Sequence, residues 1–424
     1  MTSPTLSPPL LSTNTSTPSL AGKRVAVIVF SYFPSDPRVY REALALAQAG
    51  AEVDLFCLRK ANATGFQELE RERISGVHVT RARVKKNRAG KLSYIKQYVI
   101  FTAAAFVWLS KRVLRRHYHL VHVHNMPDFL VFSALIAKLF GARVVLDLHD
   151  PMPEVFLAKA ELKPGGGLLK LLHWVEKKSI AFADLVLTPN LAFREVFTSR
   201  SGPEEKIEII MNTPLEEVFP LTAPATPLSR AKEAPFVLMY HGTLFERHGL
   251  HMAVNALADL VYDFPGIVFQ VYGAETPYWT KTVLPLIEEL GLEEHVRYFG
   301  DSSQEAIARA IRGCDLGLIP NLKTPFTEIN FPVRIFEYLA LGKPVLVPFT
   351  RGIRDYFGPE NMLFFRGGIN DEDEGENLST QIQWVFEHPA EVRAFVEKGQ
   401  EIYRKHPWQA ERGRFLRLIS ALLG

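Results

Sequence analysis

Short apolar runs alternate with amphipathic stretches along most of the chain, and this rhythm predicts its secondary structure. The run VAVIVF (25–30) predicts a first strand, and Asp36 followed by Pro37 predicts the start of a helix that ends at Gly50. Further strands are predicted at 52–58, 77–83, 120–125, 142–150, 185–189 and 206–212. Runs such as RVVLDL lack strict alternation of apolar and polar residues, which is typical of strands covered on both faces in a parallel sheet. The pattern therefore predicts an α/β class with a doubly wound sheet.

The rhythm stops after Asn212 and restarts at Phe236, with five prolines in the intervening stretch. A second set of strands is predicted at 236–242, 267–273, 296–300, 315–320, 344–348 and 362–365. We therefore predict two Rossmann-like domains, 22–212 and 236–405, joined by a linker at 213–235, with a C-terminal helix at 406–424 that packs back on the first domain. Two such sheets facing each other place their carboxyl ends across a cleft, where ligands of these folds bind.

The amino-terminal segment and the cysteines indicate where the protein works. Residues 1–21 contain 14 Ser, Thr or Pro and no charged residue, which predicts a disordered tail and not a secretory signal. No apolar run reaches the roughly 18 residues needed to span a bilayer. The only cysteines, Cys57 and Cys314, are far apart and lack the spacing of a disulfide framework or zinc site. We expect a cytoplasmic protein, with peripheral attachment to the inner face of the membrane as an additional hypothesis.

The loop after the first strand disfavours two common uses of the fold. A dinucleotide-binding loop needs Gly-x-Gly-x-x-Gly directly after a strand, and here SYFPSDPRV follows without a glycine. A P-loop is absent as well. Hydride transfer and ATP hydrolysis are therefore disfavoured, and we expect no cofactor.

The second half contains candidates for binding a phosphorylated ligand. In YHGTLFERHGL a strand ends at Gly242 and a helix begins near Gly249, so backbone amides and Arg247 lie at the sheet edge. Arg334 and Glu337 are three positions apart on a predicted helix and thus share a face. A cation beside a carboxylate suits a diphosphate and ribose hydroxyls. The alternative is a surface ion pair on an amphipathic helix.

From about residue 23 to its end the chain resembles the retaining glycosyltransferases of the GT-B fold, family GT4. The likeness is carried by DPRVYREALALAQAG, HVHN, VVLDLHD and IIMNTP in the first half, and by HGTLFERHGL, FQVYGAE, VRYFG, CDLGLIP and FPVRIFEYLALGKPVLVP in the second. The resemblance implies transfer of a sugar from a nucleotide diphosphate sugar to a glycan or lipid-linked acceptor. It also implies retained anomeric configuration and no essential metal, and we expect a role in polysaccharide or cell-envelope glycan synthesis.

Four residues match the functional positions of that family. Glu337 matches its ribose-binding glutamate, and Arg334 matches the basic residue often found three positions earlier. Gly242 matches the glycine of the first loop in the second domain. His149, at the end of VVLDLHD, matches the active-site histidine that approaches the donor sugar, although a histidine at a strand end is more often structural.

The chain departs from the family pattern at two places. Thr243 and His248 stand where the family usually has arginine and lysine, so Arg247 is our candidate to take over diphosphate binding. The first glutamate of the family's pair is replaced by Ile329, which makes the adjacent Glu328 a displaced candidate for contact with the sugar hydroxyls.

Two sequence features raise the question of a metal, and we interpret both as metal-free. Asp371–Asp373 forms an Asp-x-Asp pattern, but it lies in a polar run with no strand before it, as expected of a solvated loop. His122 and His124 share a strand face, but no third or fourth ligand is evident from the sequence, so we expect buried or cleft-edge histidines.

The charge is concentrated in one stretch, the basic segment 81–118. This segment contains eleven Lys or Arg and no acid around the apolar run YVIFTAAAFVWL, so of the chain's net +3 the remainder contributes 3 − 11 = −8. Basic flanks around an apolar helix suit an anionic membrane surface. The alternative is a core helix with solvated basic ends. No nucleic-acid-binding motif accompanies the charge, so we expect no nucleic-acid partner.

Three functional hypotheses follow. The leading one is a nucleotide-sugar-dependent glycosyltransferase. An epimerase or hydrolase acting on nucleotide sugars would use the same fold, but would act on the donor without an acceptor. A catalytically degenerate member that scaffolds a membrane assembly would explain the missing arginine and lysine in the first loop of the second domain.

Overall fold

The computed structural model of the chain describes residues 18–62, 65–66, 68–84, 91–158, 165–224, 231, 234–366 and 377–424. It contains two α/β units, each built on a sheet whose strands are mainly parallel. The predicted fold class, two doubly wound units facing across a cleft, is confirmed. The predicted polar run at Asp371–Asp373 lies outside the described residues. In the described parts of the chain no helix combines the length and the apolar character needed to cross a membrane.

The first unit is built around a sheet of eight strands. The strands of this unit are β1 (Arg24–Tyr32), β2 (Glu52–Leu58), β3 (Ala61–Asn62), β4 (Gly65–Phe66), β5 (Arg71–Ile74), β6 (Val77–Ala82), β7 (Leu120–His124), β8 (Arg143–Asp147), β9 (Leu185–Thr188) and β10 (Ile207–Ile209). The sheet order is β10-β9-β8-β7-β1-β2-β6-β5, and β3 and β4 pair separately. The central strand β1 buries six consecutive residues, as expected of a strand covered on both faces.

One strand of this sheet was not anticipated from the sequence. Strand β5 pairs antiparallel with β6 at the edge of the sheet, whereas the pairs from β10 to β6 are parallel. Its sequence RERI alternates exposed and half-buried residues. A charged edge strand of this kind lacks the apolar run that marks the interior strands, and it resists edge-to-edge association.

Helices cover both faces of the first sheet. Those of the first unit are α1 (Pro37–Gln48), α2 (Lys91–Val113), α3 (Leu135–Leu139), α4 (Met152–Ala158), α5 (Gly167–Phe182) and α6 (Leu191–Arg200), with 3-10 turns at Asp128–Ala134 and Glu204–Lys206. Helix α1 begins as predicted: the Asp36 carboxylate accepts a hydrogen bond from Val39 N at 3.4 Å, and Pro37 occupies the first helical position.

The second unit has a sheet of six parallel strands. They are β11 (Phe236–His241), β12 (Ile267–Tyr272), β13 (Val296–Gly300), β14 (Leu316–Leu318), β15 (Val345–Pro348) and β16 (Leu363–Phe365). Their order is β13-β12-β11-β14-β15-β16. The helices are α7 (Leu250–Leu260), α8 (Leu284–Glu289), α9 (Gln304–Gly313), α10 (Arg334–Ala340), α11 (Arg351–Arg354), α12 (Leu378–Glu387), α13 (Pro389–Tyr403) and α14 (Trp408–Leu423), with a 3-10 turn at Glu246–His248 and a π-helical turn at Trp279–Val283.

The last helix lies against the first sheet. Phe415, Leu416 and Ile419 of α14 are buried in the same apolar cluster as α1 and the face of β1 that α1 covers. The carboxylate of Glu411 accepts a hydrogen bond from Met211 N at 3.0 Å. Apolar side chains spaced three and four residues apart thus fasten the end of the chain onto the first unit.

The basic segment is less exposed than its sequence suggested. Arg81 is buried and forms ion pairs with Glu68 at 3.3 Å and with Glu72. Arg83 pairs with Glu70 at 2.7 Å. Acids on the neighbouring edge strand and on the chain just before it thus neutralise these two arginines, and contact of the basic segment with a membrane stays a prediction.

Candidate active site

The first-unit side of the cleft is organised by a buried arginine. Arg38, in the first turn of α1, donates to both carboxylate oxygens of Asp147, with Nε–Oδ2 at 2.6 Å and Nη2–Oδ1 at 2.8 Å. Its Nη1 donates to the carbonyl of Ile210 at 2.7 Å. Both charged side chains are almost fully buried. Because a bidentate pair with further hydrogen bonds offsets the cost of burying both charges, Arg38 fixes the end of β8 against α1.

Asp147 in turn holds the histidine that the sequence singled out. His149 Nε2 lies 3.2 Å from Asp147 Oδ2 and 3.0 Å from Nδ1 of His124, which itself lies 3.1 Å from the same carboxylate oxygen. A proton on His149 Nε2 satisfies both neighbours. Burial lowers the pKa of His149, but the negative charge of Asp147 more than compensates, so the pKa is raised. His149 thus stands at the carboxyl end of β8, with 19% of its side chain exposed.

Two more buried polar side chains extend this network away from the cleft. Glu42 lies on α1 one turn after Arg38, with its carboxylate 3.3 Å from Arg38 Nε and 3.5 Å from His122 Nε2. Burial raises the pKa of Glu42 to about 8 and lowers the pKa of His122. Glu42 is therefore mostly protonated at neutral pH. Uncharged Glu42 and His122 leave Arg38 and Asp147 as the charged pair of the cluster.

The same cluster contains more candidate metal ligands than the two histidines considered from the sequence. Glu42, His122, His124 and Asp147 offer ligand atoms within 4.8 Å of one another, so the structure supplies the third and fourth candidate ligands that were not evident from the sequence. The third and fourth candidates come from a different helix and strand. However, Arg38 already places a cation on both oxygens of Asp147. A divalent ion there would face this guanidinium, which opposes binding.

The second-unit side is built where β11 ends. Arg334 begins α10, donates from Nη1 to the carbonyl of His241 at 2.6 Å, and lies 4.8 Å above the Tyr240 ring. Gly242 has φ of 129°, and a Cβ at this position would lie 3.0 Å from Arg334 Nη1. Glycine is therefore required both by the backbone conformation and by the close approach of the guanidinium.

Glu337 lies one turn after Arg334 and on the same side of α10, as the spacing predicted. Its carboxylate is 3.2 Å from His241 Nε2, and 13% of its side chain is exposed. Burial raises the pKa of Glu337 to about 7, although Arg334 and Arg41 oppose this shift. The helix face that was compared with a surface ion pair is thus largely buried at the cleft, and the carboxylate changes charge near neutral pH.

The first loop of the second unit carries Arg247 and His248. Gly249 has φ of 64° and precedes α7, and a Cβ there would lie 1.9 Å from the Pro320 carbonyl oxygen. His248 Nδ1 lies 2.6 Å from the carbonyl of Thr243, so this histidine closes the loop. Arg247 packs 5.7 Å from the Phe326 ring, and burial lowers its pKa. The loop therefore presents Arg247 as its basic group, beside the amino terminus of α7.

Glu328 is placed differently from the other candidates. Its Oε1 accepts a hydrogen bond from Arg351 N at 3.2 Å, at the start of α11. Its Oε2 is buried and makes no hydrogen bond within the described residues. Ile329 beside it is buried in the apolar cluster of the first unit. One carboxylate oxygen thus fixes a loop, and the role of the other in binding a sugar stays a prediction.

Charges of opposite sign face each other across the cleft. Arg41 of α1 lowers the pKa of Glu337 through its positive charge, and Asp150 of the first unit acts on Arg247 by the same electrostatic effect. Arg41 also lies 5.3 Å from the Trp408 ring. The structure thereby brings candidates of the two units to one region, with Glu337 opposite Arg41 and Arg247 opposite Asp150.

Four buried charged residues of the site were not among those predicted from the sequence: Arg38, Arg41, Glu42 and Asp147. The first three share the buried side of α1 at positions i, i+3 and i+4, and each is at most 5% exposed. Charged residues inside an otherwise apolar helical face are a signal that the sequence contains. Their partner Asp147 is not recognisable in the same way, because it lies 109 residues away on another strand.

Two family models together match most of the chain. Residues 35–213 match the family model of the glycosyl transferase 4-like domain, and residues 227–402 match the model of the glycosyl transferases group 1. The chain belongs to the GT4-type glycosyltransferases of the GT-B fold. No curated protein sequence matches it.

Solved structures similar to this glycosyltransferase span nearly its whole length. Sucrose-phosphate synthase from Thermosynechococcus elongatus has a TM-score of 0.72 at 18% identity, covering 94% of this chain and 99% of its own. The HepE protein of Anabaena in complex with UDP-glucose has a TM-score of 0.66 at 16% identity, with coverages of 94% and 99%. WaaG, a glycosyltransferase involved in lipopolysaccharide biosynthesis, has a TM-score of 0.64 at 15% identity, with coverages of 93% and 99%. At these identities they establish the shared fold of the glycosyltransferase.

Proposed function

We propose that this glycosyltransferase moves a sugar from a nucleotide diphosphate sugar to a glycan or glycolipid acceptor with retention of configuration, and without a metal or other cofactor. The observation that carries the proposal is the paired placement of Arg334 and Glu337 on one largely buried face of α10, at the carboxyl edge of the second sheet. A guanidinium beside a carboxylate suits a ligand with a diphosphate at one end and a ribose at the other. The synthesis of polysaccharides or cell-envelope glycans is the role we favour.

Donor binding is assigned to the second unit. Ribose hydroxyls donate to the Glu337 carboxylate, while the diphosphate lies against Arg334, Arg247 and the backbone amides that precede α7. Gly242 leaves room for the Arg334 guanidinium beside the loop after β11, since a side chain at this position would touch Arg334. As the glycosidic bond breaks, negative charge grows on the leaving diphosphate. The two arginines stabilise this charge in a site from which water is excluded.

The first unit supplies the group nearest the reacting sugar. His149 is held by Asp147 and His124, so its ring is oriented before any substrate arrives. With Nε2 occupied by these neighbours, the remaining nitrogen Nδ1 is the one available to a donor-sugar hydroxyl. Glu328, with one oxygen bonded to Arg351 N, is our candidate for a second sugar contact from the opposite unit.

The similar structures support the donor class. HepE was solved with UDP, with UDP and glucose, and with UDP-glucose, and starch synthase IV of Arabidopsis thaliana was solved with ADP and acarbose. These ligands belong to those proteins. They share a nucleotide diphosphate, which is the group that Arg334, Arg247 and Glu337 suit in this chain.

The test is a screen of purified full-length protein against UDP-, GDP- and ADP-sugars. Nucleotide release that depends on an added glycan or glycolipid supports transfer, and the anomeric configuration of the product tests retention. Release of free sugar without acceptor would identify a hydrolase, and interconversion of donor sugars an epimerase. Failure to bind any nucleotide sugar would instead identify a scaffold and contradict the proposal.

A further inference from the structure

Three neighbouring elements on one face of the first sheet expose an unusual amount of apolar surface. They are helix α2, the 3-10 turn at Asp128–Ala134 with the following helix α3, and helix α5. We call these elements together the three-helix surface. Each contributes buried residues to the same apolar cluster, and α2 and α5 both contact the 3-10 turn between them. Twelve of the nineteen exposed large hydrophobic side chains in the described part of the chain lie on or beside these elements.

Helix α2 is apolar on two opposite sides. Phe101, Ala105 and Leu109, spaced four residues apart, are fully buried against the first sheet. A second row with the same spacing contains Val99 and Val107, which are 54% and 48% exposed. The two rows are half a turn apart. A helix of an ordinary globular protein places polar residues on its outer side, so this outer row calls for a partner.

The other two elements also expose apolar side chains. Leu139 and Phe140 at the end of α3 are 73% and 54% exposed. On α5, Leu171 and Trp174 lie three residues apart and are both more than half exposed. Tryptophan has an apolar body and a polar N–H group, and it is the side chain typical of the boundary between lipid and water.

The charged residues on these elements are mostly cationic. Helix α2 contains no Asp or Glu, and the acids of the other two elements, Asp128 and Glu176, are buried. Among the side chains that the structure describes on these elements, the exposed charges are lysines, at 96 and 111 on α2 and at 170, 177 and 178 on α5. An apolar surface with exposed lysines and no exposed acid on the same elements is complementary to an anionic bilayer.

We propose that the three-helix surface docks on anionic lipid bilayers. Its apolar side chains enter the headgroup region, and the five lysines contact phosphate-bearing headgroups. This membrane contact differs from the one expected of the basic segment alone. Arg81 and Arg83 are neutralised by ion pairs, and lysines of α5 contribute positive charge in their place. Asn125 donates to Asp128 of the 3-10 turn at 2.9 Å and accepts from His149 N at 2.8 Å, so the surface adjoins the loop of the candidate active site. In combination with the proposed function, on which this last step rests, the placement favours a lipid-linked acceptor.

The experiment is sedimentation of the full-length protein with vesicles of equimolar phosphatidylcholine and phosphatidylglycerol. We expect binding at low salt, weaker binding to pure phosphatidylcholine, and loss of the electrostatic part near 1 M salt, where the Debye length is about 3 Å. The triple variant Lys170→Glu, Lys177→Glu, Lys178→Glu should bind anionic vesicles at least about tenfold more weakly. The apolar variant Leu171→Ser, Trp174→Ser should lose binding at every salt concentration.

Matched controls use exposed residues of the second unit and of the short segment between α13 and α14. Lys281→Glu, Lys398→Glu, Lys405→Glu makes the same change in net charge, and Tyr262→Ser, Leu290→Ser removes exposed apolar side chains. These controls should bind like the parent protein. Thermal unfolding identifies any variant that has lost its fold. Because every substituted side chain is exposed, we expect melting temperatures close to that of the parent.

Two results would overturn the proposal. One is the absence of binding to anionic vesicles at low salt by folded protein, or equal binding by the lysine variant and its control. The other is self-association of the parent protein that Trp174→Ser abolishes, which would make a second copy the occupant of the surface. Nucleotide-sugar binding, measured on the same proteins, separates this test from the test of the proposed function. The surface variants should bind the nucleotide sugar as the parent does. If neither the parent nor any variant binds it, the donor assignment is refuted but the membrane proposal is not.

Discussion

The two sides of the cleft hold their charged groups in different ways. On the first-unit side, Arg38 and Asp147 satisfy each other at 2.6 and 2.8 Å, and His124 and His149 complete the arrangement. On the second-unit side, Arg334 donates to a backbone carbonyl and lies on the Tyr240 ring. A guanidinium held by a carbonyl and a ring keeps donors for an incoming anion, whereas one held by a carboxylate has used them. This difference fits the proposed division of roles, in which the buried network of the first side holds His149 in place and the second side is the proposed site for the donor.

The largest effect that tests this contrast is on stability. Arg38→Ala would leave the Asp147 carboxylate buried without its main partner, so we expect a loss of about 3–5 kcal/mol in the free energy of unfolding. The half-exposed pair of Arg24 with Glu52 provides a control, since Arg24→Ala should cost at most about 1 kcal/mol. Denaturant titration measures both. Equal losses in the two variants would show that the buried network is not structural.

The next effect is on activity, at the other side of the cleft. Glu337→Ala and Arg334→Ala should each lower transfer on the order of 10- to 100-fold or more, because each removes hydrogen bonds between a charged group and the donor. The stability of Glu337→Ala should change little, since a carboxyl whose pKa is raised by burial contributes no favourable charge to the fold. Glu288→Ala on the exposed side of α8 is the matched control. Near-normal transfer by folded Glu337→Ala would refute the assignment of this site.

A smaller effect concerns the pH dependence of donor binding. Because burial raises the pKa of Glu337 to about 7, its carboxylate is mostly protonated at pH 6 and mostly ionised at pH 8. If ribose hydroxyls bind the ionised form, affinity for the donor should rise about tenfold between these pH values. Calorimetry with the intact nucleotide sugar measures this, since its diphosphate does not titrate in the same range. Glu337→Gln should remove the dependence, and a slope that persists in this variant would assign it to another group.

The raised pKa of Glu337 also makes the free energy of unfolding depend on pH. The folded protein keeps Glu337 protonated up to about pH 7, while the ordinary pKa of a free glutamate is 4.5. Between these values the folded state binds more protons, so the contribution of this residue to stability falls as pH rises. The stability of Glu337→Gln should therefore fall less than that of the parent across this window.

The smallest expected change is that caused by a chelator. Arg38 already compensates the charge of Asp147 beside Glu42, His122 and His124, so we expect transfer within about twofold of the untreated rate after dialysis against a chelator. Inactivation that added zinc reverses would assign a metal to this cluster. The control is the same dialysis with the chelator saturated by calcium.

The sequence predicted what depends on local spacing. Arg334 and Glu337 are three residues apart, so one helical turn places them together wherever the helix lies. The interior strands were likewise recognisable from unbroken apolar runs, which the structure confirms to within a few residues. Strand β5 was missed because an exposed edge strand needs no such run.

The first-unit network depends on tertiary register and could not be predicted in the same way. His124 and Asp147 are opposite each other in neighbouring strands β7 and β8, and Arg38 reaches them from α1. Nothing in the spacing along the chain sets this register. The sequence identified His149 through its resemblance to a family, but it did not identify the carboxylate that orients its ring.

Helix α14 has a consequence for how the protein can be recombined. Its buried side supports the first sheet, where Phe415 lies 5.7 Å from the His122 ring, although the helix follows the second unit in the chain. A chimera that exchanges only the first unit for that of another enzyme would keep the original final helix against a foreign sheet. Transplanting the first unit between such enzymes therefore requires the grafted piece to be discontinuous, with the last helix moved together with that unit.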